Sequence, residues 1–337
     1  MITPNSSLEL SHFPVMLDEV IKSSSIKKGD SIIDCTFGGG SYSRKFLEFT
    51  NTKVIALDRD SFVLGLSKDV KEKNPGRFTF YQKKFSELDT IKTGKLVDII
   101  VFDLGLSSIQ LNNLARGFSF SSKESLDMSM GLNDISAEMV VNTFSENTLK
   151  LIIKILGEEK DASRIAKNII LSRTIKKITK VNQLVEIIEK SKTKKFGKIN
   201  PSTKTFQALR IFVNKEITEL IKGIVCATKL LKPGGRILVI SFHSIEDKIV
   251  KYFFSNFSSN KSNPSRYFPE KSDKKKFTLF ESYRNKIIKP SSREIVANPP
   301  SRSAKLRYAI RNKNKFFFPL ELEEKFKKYL ELEKLYA

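Results

Sequence analysis

Three times in its first 103 residues the chain runs through a short apolar stretch that stops on an aspartate. Residues 31–34 end at Asp34, residues 53–57 lead into Asp58, and residues 96–102 lead into Asp103. Helix-like segments follow the first two, at 42–49 and at 61–70, the latter capped by Ser61 or Asp60, and residues 77–81 read as a further strand. Apolar strands alternating with helices specify a parallel sheet covered on both faces, since each crossover helix has to bury its apolar side against the sheet.

The alternation stops after residue 110. Residues 135–195 read as helices, with Leu149, Ile152, Ile153 and Leu156, and then Ala162, Ile165, Ala166, Ile169 and Ile170, at helical spacing. The polar stretch 192–198 suits an exit linker. A long helix is expected over 205–231, closed by the turn 232–235, then a strand at 236–241 and a helix at 244–254. Residues 256–300 read as a Ser-, Lys-, Asn- and Pro-rich loop, 304–311 as a late strand and 320–335 as an amphipathic helix. The expected division is an α/β domain over 1–110 and 205–315, an inserted helical substrate-recognition domain over 111–204, and a C-terminal helix over 316–337.

Composition excludes several classes. No run approaches the ~18 apolar residues of a membrane span, and the first 20 residues carry Glu9, Asp18 and Glu19 with no basic start, so neither a membrane protein nor a secretory signal is expected. Two cysteines and two histidines cannot supply a disulfide framework or a usual zinc site, so no metal is expected. A cytoplasmic protein is the expectation. The net charge of +23 points to nucleic acid, although a chain with 46 Lys, 26 Phe and no Trp also fits AT-rich coding. Its placement is more telling: residues 1–170 hold 22 basic and 22 acidic side chains, whereas residues 171–315 hold 34 and 10.

The glycines at 38, 39 and 40 follow the first strand and allow a ligand close to the backbone. Asp58, at the end of the next strand, can accept both hydroxyls of an adenosine ribose. Ser43 stands where a dinucleotide fingerprint needs its third glycine, and the phosphate-loop spacing is absent. The pair fits a nucleoside-containing cofactor of either kind. The Lys232-Pro-Gly-Gly-Arg236 turn before a strand, and Asp103-Leu-Gly-Leu-Ser-Ser108 at the fourth strand end, favour S-adenosylmethionine (AdoMet).

Nine motifs then occur in one order: His12-Phe-Pro-Val-Met-Leu-Asp-Glu-Val20, Asp34-Cys-Thr-Phe-Gly-Gly-Gly-Ser-Tyr-Ser43, Ala56-Leu-Asp-Arg-Asp60, Asp103-Leu-Gly-Leu-Ser-Ser-Ile-Gln110, Arg116-Gly-Phe-Ser-Phe120, Leu126-Asp-Met-Ser-Met130, the segment from Asn200 to Asn214, Ser241-Phe-His-Ser-Ile-Glu-Asp247 and the segment from Asn298 to Arg307. With them the chain resembles, nearly end to end, the RsmH (MraW) family of AdoMet-dependent methyltransferases, which methylate the exocyclic N4 of a cytosine in the decoding region (P site) of small-subunit rRNA. The resemblance implies a Rossmann-like class I AdoMet-dependent methyltransferase fold with an inserted helical domain. It also implies cofactor contacts at Gly40, Ser41, Tyr42, Asp58, Phe85, Asp103 and Gln110. Ser41 replaces the family's usual second glycine, and a Cβ there restricts positive φ.

Asp103 is the candidate catalytic residue, as an acceptor for the amine N–H or an anchor for the cofactor's charged end. Many amino-methyltransferases place an Asn/Asp/Ser-Pro-Pro-aromatic motif at this strand end; here Asp103-Leu-Gly-Leu106 replaces it, so Phe118 and Phe120 are candidates to stack on the base. Asn200, Thr205, Arg210, Asn214 and His243 are candidate acceptor-pocket residues, with Gln207 on the same segment, and Arg302 and Arg307 candidate phosphate contacts. The expected partner is small-subunit rRNA or the 30S particle, with no membrane and no metal. The alternatives are a methyltransferase on another RNA, DNA or protein, or a non-catalytic RNA-binding ribosome assembly factor. Oligomeric state is left open.

Overall fold

The computed structural model describes residues 14–193, 200–259, 277–283 and 285–335. The start of the His12 motif, the linker residues 194–198, and 260–276 of the expected loop lie outside the described residues.

A helix α1 (Leu17–Ser24) precedes the sheet. Then come β1 (Ser31–Asp34), α2 (Ser41–Leu47), β2 (Lys53–Asp58), α3 (Leu64–Lys73), β3 (Phe78–Gln82) and β4 (Val97–Asp103). A short α4 (Ser108–Asn112) leads to α5 (Ala137–Thr143), α6 (Glu146–Leu156), α7 (Ala162–Ile175) and α8 (Val181–Lys190). The chain continues through α9 (Thr203–Asn214), α10 (Glu216–Leu230), β5 (Leu231–Ser241), α11 (Ser244–Asn256), α12 (Ser292–Ala297), β6 (Lys305–Ile310) and α13 (Leu320–Glu333). The strand order is β3-β2-β1-β4-β5-β6, parallel except for β6. The order reverses between β1 and β4, so the loops after these two strands diverge and leave a crevice at the carboxyl edge.

Both faces are covered, as the continuous apolar strands require. Ile32, Val54, Ile99, Val101, Leu238 and Ile240 pack on one face with Phe46, Val70 and Leu306. Ile33, Leu57, Ile100, Phe102, Ile237 and Val239 belong to the other, larger core. That core runs without a break into the helical block, through Leu149, Ile152, Ile153 and Leu156 of α6 and Ile165 and Ile169 of α7. The insertion therefore shares a core with the sheet.

Three local expectations need correction. The long helix over 205–231 is two helices, broken at Lys215, whose φ is 49°. The cause is tertiary. Asn214 Oδ1 accepts from Met130 N (2.9 Å) and Asn133 Nδ2 (2.6 Å), and its Nδ2 donates to Met128 O (2.9 Å). The new helix start is capped from α13, where Glu333 accepts from Ile217 N (3.0 Å) and Thr218 N (2.8 Å). The 232–235 turn does not precede β5 but bulges within it: Leu231 pairs with Val97 and pairing resumes at Arg236 opposite Ile99. Finally, the described part of 256–300 is not all loop, since it holds α12 and the start of the 3-10 turn Pro299–Ser303.

Candidate active site at the carboxyl edge of the sheet

A cavity of about 290 Å³ opens where β1 and β4 diverge. At one end, the turn after β1 contributes Gly38 and Gly39, and α2 contributes Ser41 and Tyr42. Asp58 ends β2 there. Its Oδ2 accepts from Gly38 N (2.8 Å) and its Oδ1 from Asp60 N (2.9 Å), which fixes the carboxylate and leaves each oxygen a further lone pair. Burial pushes its pKa up to about 6, against those two N–H bonds. Phe85 lines the same end, edge-on to Phe102 with ring centroids 5.5 Å apart.

Gly40 does not line the cavity. It caps α2 with φ 78°, and a Cβ there would lie 2.7 Å from the Phe37 ring. Positive φ in this turn falls on Gly38 and Gly40 and not on Ser41, which takes the first helical position. The Cβ at Ser41 therefore carries no backbone penalty.

Gln110 lines the cavity, but both ends of its amide are engaged. Its Oε1 accepts from Ser107 N (3.0 Å) and its Nε2 donates to Asp60 Oδ2 (2.9 Å). The same carboxylate pairs with Arg116, whose guanidinium lies between the rings of Phe62 (4.7 Å) and Phe118 (5.2 Å). Arg59 donates to Asn214 O (2.8 Å), Gly131 O (3.2 Å) and Asn133. Of the run Asp58-Arg59-Asp60, the first two residues line the cavity, and Arg59 and Asp60 tie β2 to the insertion.

Asp103, Leu104, Gly105, Arg210, Glu216, Phe242, Glu246, Asn298 and Pro300 line the same cavity, with the Asp103 carboxyl within reach of the Tyr42 hydroxyl. Asp103 N donates to Thr36 Oγ1 (2.7 Å), while Asp103 Oδ1 is shielded from solvent and has no hydrogen-bond partner. Burial, with the charges of Asp34 and Glu246 nearby, drives its pKa well above the carboxylate range. A carboxylate so placed favours a cationic or hydrogen-donating ligand, which would restore its charge. Arg210 Nη2 donates to Glu216 Oε2 (3.0 Å).

Several sequence candidates stand elsewhere. Asn200 Oδ1 accepts from Ser202 N (2.8 Å) ahead of α9, and Thr205 is fully buried; neither lines the cavity. Gln207 donates to Leu156 O (3.2 Å). Asn214 spends its side chain on the helix break. His243 caps α11, its Nδ1 accepting from Glu246 N (3.4 Å). Arg302 is exposed, as a phosphate contact requires. Arg307 is not: its side chain is 2% exposed, with Nε on Asp247 Oδ1 (2.7 Å) and Nη1 on Tyr283 Oη (3.0 Å) and Asn285 Oδ1 (2.9 Å). Phe118 is buried under Arg116 and Phe120 packs edge-on to Phe206 at 6.4 Å; neither ring reaches the cavity. Sequence reasoning missed Glu216, Glu219, Phe242 and Pro300. Phe242 carried a signal, since it follows a strand whose neighbour ends on Asp103.

Glu216, His243 and Glu246 bring one ligand atom each within 4.8 Å of one another, as a metal site would. Their partners argue otherwise. The bond accepted by His243 Nδ1 puts the ring proton on Nε2, the nitrogen 3.1 Å from Glu246, and Arg210 occupies Glu216. No helix among the described residues is long and apolar enough to cross a membrane.

Residues 9–312 match the model of the MraW methylase family. The chain is 42% identical over 306 residues to a protein of Ehrlichia canis named Ribosomal RNA small subunit methyltransferase H, covering 89% of this chain and 99% of that one. A protein of the same name from Rickettsia massiliae is 42% identical over 299 residues, 89% and 97% of the two chains. A solved structure described as a putative rRNA-methylase from Clostridium thermocellum aligns over 92% of this chain and 100% of its own, with 14% identity and a TM-score of 0.39, too distant to add to the argument.

Proposed function

The chain belongs to the MraW methylase family, and from that premise we propose that it methylates the exocyclic N4 of a cytosine in the decoding region of small-subunit rRNA, with AdoMet as methyl donor. The observation that carries this reading is the pairing, in one cavity, of a carboxylate fit for a ribose, Asp58, with a shielded carboxylate that has an unpartnered oxygen, Asp103.

On this reading Asp58 takes the ribose hydroxyls, Phe85 lies beside the adenine, and Ser41, Tyr42 and Gly38–Gly39 flank the amino-acid portion. Gln110, which lines the cavity and holds Asp60, keeps a further N–H and lone pair for the cofactor. AdoMet supplies an electrophilic methyl on a cationic sulfur. The cytosine amine is a poor nucleophile because its lone pair is delocalised into the ring. The protein's contribution is therefore mostly to hold that nitrogen in line with the methyl group. Asp103 Oδ1 accepts one amine N–H, which localises electron density on nitrogen as the transition state forms, and it is the acceptor for the proton released once nitrogen is alkylated. Arg210 offers donors that match the O2 and N3 acceptors of the base. The target leaves its stack to enter a site this enclosed. The insertion over 111–204 serves RNA recognition together with the basic residues that begin within it and run on through residue 315.

Tritium transfer from labelled AdoMet to small subunits and to naked rRNA, followed by digestion and mass spectrometry, tests the reading. Label on cytosine N4 is the expected result; label on DNA or protein alone would overturn it.

A further inference from the structure

Asp103 and Arg210 meet the edges of a base, and neither covers its face. A flipped base loses its stacking neighbours and needs a replacement surface, for which an aromatic ring is the usual chemistry. The described aromatic residues lining the cavity are Phe37, Tyr42, Phe85 and Phe242; Phe37 and Phe85 pack on other rings and the Tyr42 hydroxyl is bonded to Val15 O, which leaves Phe242 for this role.

Ile240 of β5 pairs with Asp103 of β4, and Phe242 follows two residues later at the same sheet edge. The ring lies against the backbone of the loop after Asp103: a Cβ at Gly105 would stand 3.3 Å from its Cδ2. Gly105 has φ 91°, so the loop keeps both the turn and the ring's place only with glycine. The backbone is fixed as well. Phe242 N and His243 N donate to Glu246 Oε2 at 2.8 and 3.3 Å. Pro300, on the Pro299–Ser303 turn, adds a second apolar surface to the same cavity. Ring, proline and a carboxylate with one unpartnered oxygen are thus gathered from three separated parts of the chain.

We propose that Phe242 is the ring on which the extruded cytosine stacks, with Pro300 as the apolar wall beside it, so that the amine meets Asp103 edge-on. This rests on the reading of the acceptor as an RNA base. The stack is indifferent to which base it holds; Asp103 and Arg210 supply the discrimination. A uracil in the same slot would turn a carbonyl oxygen toward Asp103.

The chain has no tryptophan, so F242W carries a single indole reporter at the proposed contact. Its emission is measured as rRNA of the decoding region is added, once with the target cytosine and once with an abasic residue at that position. Quenching by the first and not by the second is expected. In parallel, F242L should lose about 10- to 100-fold in kcat/KM for RNA, the range of one base–aromatic stack, with AdoMet affinity by calorimetry unchanged and F242Y close to wild type. Equal emission with both RNAs, or F242L at wild-type kcat/KM, would overturn the proposal. If the wild-type enzyme transfers no methyl to small-subunit rRNA, it is the acceptor reading that fails. If wild type transfers methyl and the indole does not respond, the stacking proposal fails alone.

Discussion

On the proposed reading, the cofactor end of the cavity holds Gly38 and Asp58, 20 residues apart and joined by a hydrogen bond from the turn after β1 to the end of β2. The acceptor end is Asp103, Arg210, Phe242 and Pro300, which line the same cavity from four regions spread between residues 103 and 300. The cofactor end is a local product of β1, β2 and the turns after them. The acceptor end depends on the helix break at Lys215, on the β4–β5 pairing and on the return of the chain after α12. A ligand common to many enzymes can be met by a short contiguous motif, whereas a particular base needs a wall assembled from the whole chain. The charges do not follow this division: the cavity lining mixes Asp58, Asp103, Glu216, Glu219 and Glu246 with Arg59, Lys83, Lys84 and Arg210, while the excess of Lys and Arg lies in the later part of the chain.

The sharpest way to break this comparison is Asp103→Asn, which keeps the shape and removes the acceptor charge. Methyl transfer in single turnovers should fall about 10²- to 10⁴-fold while AdoMet affinity holds. Equal loss of AdoMet binding would move Asp103 to the cofactor end. Arg307→Ala should cost about 3 kcal/mol in denaturant unfolding, because it removes a buried guanidinium bonded to Asp247, Tyr283 and Asn285 and leaves half-buried Asp247 with Lys305 alone. Unchanged stability with weakened RNA binding would return Arg307 to the RNA surface. Asp58→Ala should weaken AdoMet binding by roughly 2 kcal/mol, from the hydrogen bonds lost to a charged acceptor, with little change in turnover at saturation.

The same carboxylate predicts a pH effect. Its folded pKa, about 6, lies above the ordinary aspartate value of 3.8 because of burial. AdoMet affinity measured by calorimetry should therefore decline as pH falls through about 6 and the group takes up a proton. For folding the sign is opposite: the raised pKa favours the folded state fully below 3.8, and that contribution is lost as pH rises through about 6. Asp58→Asn should flatten the binding profile. The smallest effect is expected from exposed Arg302→Ala: stability within about 0.5 kcal/mol, and a salt dependence of RNA binding reduced by about one counterion.

Much of the fold was legible because the signals were local. Apolar runs ending on Asp34, Asp58 and Asp103 marked β1, β2 and β4 to within a residue or so, and the spacing of Leu149, Ile152, Ile153 and Leu156 marked α6. The break between α9 and α10 was not legible, since 205–231 has the spacing of one helix. What ends α9 is an asparagine bonded to Met128 and Met130, and what starts α10 is Glu333, more than 100 residues later. Arg302 and Arg307 read alike in a basic segment. Only the fold shows that Arg307 lies on a strand whose inward face meets Asp247, while Arg302 faces water.

The sequence by itself determined that strands and helices alternate, that three aspartates end strands, that a helical block interrupts the pattern, and which family the motifs resemble. Each depends on neighbours a few residues apart, where periodicity and turn chemistry act. Only the tertiary structure decided that Asp58 and Arg59 line the cavity and Asp60 does not, that Gln110 holds Asp60, and that Phe242 rather than Phe118 or Phe120 lines the cavity with Asp103. Those assignments turn on where β4 and β5 pair and where α10 begins. Such contacts form between residues far apart in the chain, and no local pattern encodes them.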